Sequence, residues 1–393
     1  MSSNPGSDLK KAGSINLKIL DGFRGMAALY VMIGHARWLL WEGFSEGYVN
    51  HPDTYSSFEK MFVYFFSLFR YGHQAVLFFF VLSGFVIHLR YSKLLMSGNY
   101  KSFDVRDYFK RRIRRIYPPF LFILGFTLIL DGLGHYLGFS IYYHTTPNRL
   151  INSTIPFDHS FVNFVGNLIF LQNERITVWG SDTPLWSLKY EWWFYVIYPL
   201  MLLVNKRNIL TSLIFVFLLF FLTLFIHVSS GSFFINVLQY FLSWWMGVVL
   251  ADMYTRRVKA NFSWFAPLVL MIPVLIRYEL RLPAFVPADT LWATGFFGLI
   301  SLVFYLQQKG MGFKIITKLK WLGDCSYTLY IVHFPILVLF NGLLLHFNHN
   351  SFPKSQLYIG LAIIFIVTFS FYLHKLIERP FLRRSEKIPA YNA

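Results

Sequence analysis

Charge is what this chain has least of. Only 14% of its 393 residues are charged, against 55% hydrophobic and 20% aromatic, and the mean hydropathy is +0.47. That balance excludes an ordinary soluble domain and points to an integral membrane protein. Cysteine is nearly absent. The single Cys325 excludes an intramolecular disulfide framework, and it falls at an expected cytoplasmic helix end where thiols stay reduced. The sequence has no fixed-period repeat, no glycine-rich phosphate loop and no zinc-ligand spacing; its 12 histidines are scattered, so no metal site is expected. The first fifteen residues lack the apolar region and cleavage site of a signal peptide, which leaves 1–16 as a flexible N-terminus and the first span as the insertion signal.

What is present is a series of apolar runs. Segments 19–41, 73–90, 117–137, 185–204, 209–228, 233–252, 262–276, 289–306, 327–347 and 357–377 read as membrane spans, whereas Phe161 to Leu171 is too short to cross and reads as a re-entrant or surface segment. The expected fold is all-α: an integral membrane bundle of about ten transmembrane helices with both termini cytoplasmic. Basic residues support this orientation, because cytoplasmic loops carry the excess of lysine and arginine. On the ten-span scheme 26 of them fall inside and seven outside. An eleventh span at 161–171 would invert every later loop. The net charge of +17 is thus mainly a matter of topology, spread over several loops, and a nucleic-acid partner is not expected.

Polar groups inside spans mark candidate sites, since they are costly in hydrocarbon. Arg24 and His35 lie eleven residues apart in the first span; at about 100° and 1.5 Å per residue they share one helix stripe, about 16 Å apart. The alternative is an Arg24 that snorkels to the interface and a His35 that satisfies a neighbouring helix. Arg112 and Arg115, three apart in a basic run before Tyr117-Pro118-Pro119, either anchor topology at anionic headgroups or join Arg24 in a phosphate cradle suited to the planar guanidinium fork. Glu191 enters its span from outside, roughly at the depth of His35, and could orient that imidazole as a general base; equally, it could pair with Lys189 or a tyrosine to hold helices together. His73 and Gln74 could bind a polar acceptor. Ser83-Gly84 reads as a close helix contact, and Tyr330 and His333 share one face of the ninth span. Asp131 and Asp252, near helix ends, read as interface residues.

Six stretches together resemble one family. Leu20-Asp21-Gly22-Phe23-Arg24-Gly25 with His35 downstream, Phe79-Phe80-Val81-Leu82-Ser83-Gly84-Phe85, Arg112-Ile113-Arg114-Arg115-Ile116-Tyr117-Pro118, Leu185-Trp186-Ser187-Leu188 with Glu191, Ser326-Tyr327 with Tyr330 and His333, and Ile377-Glu378-Arg379-Pro380-Phe381 occur in the order seen in the acyltransferase-3 family of multi-pass membrane O-acyltransferases. The resemblance covers 17–384 as one membrane domain, with 385–393 as a cytoplasmic tail. It implies transfer of an acyl group, typically acetyl, from cytoplasmic acetyl-CoA as donor substrate, with no permanently bound cofactor, to a hydroxyl of a carbohydrate such as a surface polysaccharide or lipid-linked sugar. By motif His35 matches the catalytic histidine, Arg24 the arginine that precedes it by eleven, and Arg112 and Arg115 the basic pair on the third span; with the spacing and depth argued above, His35 and Glu191 are the catalytic candidates and the three arginines the donor-binding ones. His73, Gln74, Ser187, Tyr330 and His333 are the acceptor-binding candidates.

The resemblance also implies a bacterial cytoplasmic (inner) membrane. Many family members carry a fused periplasmic esterase-like domain; none follows the last span, so direct transfer within the membrane or a separate polysaccharide-assembly partner is expected. A transporter or flippase of a lipid-linked sugar would use intramembrane charge equally naturally. Related halves with matching interrupted helices, its usual mark, are not visible in the sequence.

Overall fold

The computed structural model describes residues 15–96, 103–173, 175–227, 233–278, 282 and 287–382. The N-terminus expected to be flexible, apart from its last two residues, and the tail lie outside this set. Regular structure within it is helical: α1 (Lys18–Leu39), α2 (Ser57–Ser67), α3 (Gly72–Met96), α4 (Val105–Tyr136), α5 (Arg149–Thr154), α6 (Phe161–Leu168), α7 (Trp186–Arg207), α8 (Ile209–His227), α9 (Phe233–Tyr254), α10 (Phe262–Phe265), α11 (Met271–Tyr278), α12 (Ala288–Gln308), α13 (Lys314–Lys318), α14 (Lys320–Asp324), α15 (Ser326–Phe347) and α16 (Leu357–Ile377), with short tighter or wider turns between some of them. One isolated bridge pairs Asp158 with Gly180.

Six described helices are long and apolar enough to cross a membrane: α3, α4, α9, α12, α15, and α16 with its extension to Phe381. Two of the other expected spans are continuous helices that carry charge, with Lys18, Asp21, Arg24 and Arg37 in α1 and Lys189 and Glu191 in α7. The expected span 262–276 is not one helix. A 3-10 turn from Ala266 to Leu270 separates α10 from α11, where Pro267 and Pro273 supply no N–H to a helical ladder. The segment expected to be too short to cross is α6, eight residues long and capped by Ser160.

The chain divides into two compact units: Met1–Ala27, Gly72–Phe103 and Ser187–Asp324 form the first, and Ala28–Tyr71, Asp104–Trp186 and Cys325–Ala393 the second. In the first, α3, α9 and α12 pack around a core that includes Phe23, Phe78, Phe85, Leu250, Phe297 and Phe304. One of its close helix contacts is at Gly84 and Gly247. A Cβ on Gly84 would lie 2.0 Å from the Trp244 carbonyl oxygen, and one on Gly247 2.0 Å from that of Val81, so the small-residue contact foreseen at Ser83-Gly84 is made here.

In the second unit α15 is the central helix, packed by α4, α16 and the turn Ser140–Tyr143. Asn341 Nδ2 donates to the Leu39 carbonyl at 2.6 Å, tying α15 to the end of α1. Helix α4 runs unbroken through Pro118 and Pro119 and is capped by Asp104, whose side chain accepts from the Arg106 and Asp107 amides.

Candidate active site

The motif around Arg24 is a close-packing device. In the first unit, a Cβ on Gly22 would lie 2.1 Å from the Ile316 carbonyl oxygen, one on Gly25 2.6 Å from the Gly323 amide, and one on Gly323 2.0 Å from the Asp21 carbonyl oxygen. Only glycine lets α1 approach α13 and α14 so closely. The approach positions Arg24, whose Nη2 donates to the Gly323 carbonyl at 2.7 Å and lies 3.6 Å from Asp21 Oδ1.

His35 lies on the same unbroken helix, in the part that belongs to the second unit. Its Nδ1 is 2.8 Å from Nε2 of His333 on α15, and the rings are nearly parallel, at 8°. His333 is fully buried, whereas His35 is only partly so. The hydrogen-bond order follows from chemistry. A backbone carbonyl can only accept, so the contact of 3.1 Å between His333 Nδ1 and the Leu329 oxygen puts the proton on His333 Nδ1. Neutral His333 then accepts at Nε2, His35 donates from Nδ1, and His35 Nε2 keeps its lone pair for chemistry. Phe334 meets the His35 ring edge-on at 5.0 Å and Trp38 does so at 6.4 Å. One turn before His333, Tyr330 OH donates to the Pro184 carbonyl at 3.2 Å.

The partner of His35 is thus His333, a residue expected at the acceptor. Glu191, expected in that place, belongs to the first unit, where its Oε1 accepts from Ser83 Oγ at 3.1 Å and from Tyr195 OH. Trp244 Nε1 donates to the same Ser83 Oγ at 3.3 Å, so the glutamate helps tie α3, α7 and α9 together. The three arginines are likewise divided between the units. Arg112 and Arg115 sit on α4 in the second, the Arg112 guanidinium 5.7 Å from the Tyr108 ring. Arg115 acts electrostatically on Glu378, which accepts from Thr328 Oγ1 at 2.9 Å and pairs with His374 at 3.3 Å. The Ile377-Glu378-Arg379 motif therefore supplies a carboxylate to the base of α15.

At the start of α3, His73 is exposed and its Nε2 lies 2.9 Å from Asp289 Oδ2, which also accepts from Tyr240 OH at 2.9 Å. Gln74 is half-buried and Ser187 is buried. Sequence reasoning missed Asp289 and Tyr240, whose partners are far off along the chain. It also misjudged two aspartates. Asp252 is fully buried, 2.9 Å from His88 Nε2, 2.5 Å from Ser92 Oγ and 3.0 Å from Arg257 Nη1. Asp131, also fully buried, receives His159 Nε2 at 3.0 Å and the Ser181 amide at 2.8 Å. Helix-end position suggested an interface role for both, but tertiary partners satisfy Asp252 internally and bind Oδ2 of Asp131, whose Oδ1 has no hydrogen bond among the described residues. Beside Asp131, Asp182 is buried with neither carboxylate oxygen hydrogen-bonded among the described residues. Burial first, and the Asp131 charge second, push its carboxyl well above the usual range. Cys325 is buried and forms no disulfide, and among the described residues no cluster of three or more His, Cys, Asp or Glu could hold a metal.

The chain is similar to an uncharacterised protein of Haemophilus influenzae, 28% identical over 168 residues that cover 41% of this chain and 63% of the relative. It is also similar to the O-acetyltransferase OatA of several Staphylococcus aureus strains, 25% identical over 376 residues that cover 82% of this chain and 51% of the relative. It thus spans about half to two-thirds of the length of these relatives. No solved structure is a significant match. The family model described as an acyltransferase domain matches residues 17–375, and the chain therefore belongs to the acyltransferase-3 family.

Proposed function

We propose that this protein is a membrane O-acyltransferase of a bacterial cytoplasmic membrane, moving an acetyl group from cytoplasmic acetyl-CoA to a hydroxyl of a surface polysaccharide or lipid-linked sugar. The observation that carries the reading is the ordered chain from the Leu329 carbonyl through His333 to His35, which leaves the less buried histidine with a free lone pair. His35 Nε2 takes the proton of the acceptor hydroxyl as its oxygen attacks the thioester carbonyl. The C–S bond breaks, an ester forms, and the proton passes to the departing thiolate. In the covalent variant His35 itself carries the acyl group between donor and acceptor.

Arg24, Arg112 and Arg115 serve the donor phosphates. His73, Gln74, Ser187 and Tyr330 serve the acceptor, and Glu191 holds α3, α7 and α9 together within the first unit. Ten spans with both termini inside agree with the 26-to-7 division of basic residues.

The test uses purified protein in lipid with acetyl-CoA and candidate polysaccharides, reading free CoA and acetylated sugar together. His35→Asn keeps a polar side chain but no base or nucleophile, so transfer should fall by about 10²–10⁴-fold or more while insertion is normal. Activity within a few fold of wild type would make His35 structural. Sugar movement without acetylation would point to a transporter.

A further inference from the structure

A cavity of about 230 Å³ in the first unit has no part in the proposed chemistry. It lies where α12 ends and the chain turns back through Gly310, at φ +87°, toward α13; Gln307, Met311, Phe313 and Lys314 line it. That volume is below the roughly 300–1,000 Å³ of pockets for drug-sized ligands, so it suits a ring-sized fragment. We infer that this cavity takes the purine ring of a nucleotide, namely the adenosine 3′,5′-bisphosphate end of the donor, an inference that rests on the proposed use of acetyl-CoA.

Three observations carry it. Gln307 is 7% exposed and its amide is oriented, because its Oε1 accepts from the Asn16 backbone amide at 2.6 Å. Its Nε2 is consequently a fixed, buried donor, and among the described residues it has no acceptor. A buried donor without an acceptor is costly, and the unprotonated ring nitrogens of a purine are acceptors of the matching kind. Second, Phe313 and Met311 give the cavity apolar surface of the sort that covers a base.

Third, the exposed Lys314 among the lining residues supplies a cation for a phosphate on the ribose that the ring carries. The same short helices that shape the cavity also hold Arg24. Ile316 of α13 backs onto Gly22, and Arg24 donates to Gly323 just before the end of α14. Base and phosphate groups of one nucleotide would thus be recognised on the α13–α14 segment.

The experiment uses full-length protein in lipid nanodiscs with adenosine 3′,5′-bisphosphate as probe, its binding measured directly by calorimetry and its competition with acetyl-CoA by kinetics. Gln307→Glu keeps the acceptor for Asn16 but replaces the buried donor, and should weaken the probe about tenfold or more, raising the KM of acetyl-CoA rather than lowering kcat. Lys314→Ala, at an exposed position that folding does not depend on, should weaken the probe several-fold. The advantage of acetyl-CoA over acetyl-pantetheine, which lacks the nucleotide, should shrink in both. Failure of the wild type to bind the probe, equal binding by wild type and both variants, or equal competition by inorganic phosphate would overturn the inference. Probe binding with no acetyl transfer from any donor would instead overturn the proposed activity.

Discussion

Replacing His333 tests the reading of the histidine pair at its weakest joint. His333→Ala removes the acceptor 2.8 Å from His35 Nδ1 and leaves a half-buried histidine's donor unpaired. Such a loss costs about 1–3 kcal/mol, and it falls on the one tautomer that leaves Nε2 unprotonated. At about 1.36 kcal/mol per factor of ten, kcat should drop about 5–160-fold. Because His333 is a positioning residue rather than a donor-binding one, the KM of acetyl-CoA should hold. His333→Gln is the informative partner, since its amide oxygen can accept the same proton; it should recover most of the lost kcat. The assay is CoA release by protein in lipid, with the melting temperature of each variant as a folding control. If His333→Ala folds normally and keeps kcat within twofold, the hydrogen-bond order from Leu329 through His333 to His35 does not govern the chemistry.

Reporter fusions at Lys206 and Lys318 should be cytoplasmic and those at Asn152 and Lys354 external; an external Lys318 would break the ten-span scheme. Gly84→Ala drives a methyl toward the Trp244 carbonyl oxygen, 2.0 Å from where its Cβ would stand, and should destabilise by about 1–3 kcal/mol. Gly125→Ala, with nothing within 4 Å, should be neutral or slightly stabilising, and equal melting temperatures would contradict the close contact. Asp182 has a folded pKa raised above its unfolded value, so stability is full below the ordinary aspartate pKa and declines as pH rises toward the folded value. Asp182→Asn should flatten that decline in a thermal-shift series run upward from about pH 4; an unchanged slope would assign it to other groups.

The membrane class, the helical architecture and the motif residues were legible in the sequence because they depend on local quantities: apolar run length, charge per loop and spacing along one helix. The Arg24 to His35 register is of this kind, fixed once α1 is a helix. Pro267 and Pro273 show the limit, since a hydropathy average over 262–276 ignores the missing N–H groups that break the segment. Pairings belong to the tertiary structure alone. His35 meets His333, 298 residues away, and Glu191 meets Ser83, 108 residues away. Depth in a span narrows such choices without deciding them, because several polar groups share each depth and only helix packing selects which two touch. Asp252 and Asp131 passed as interface residues for the same reason: a carboxylate near a helix end looks solvated until the helices that bury it bring their own donors.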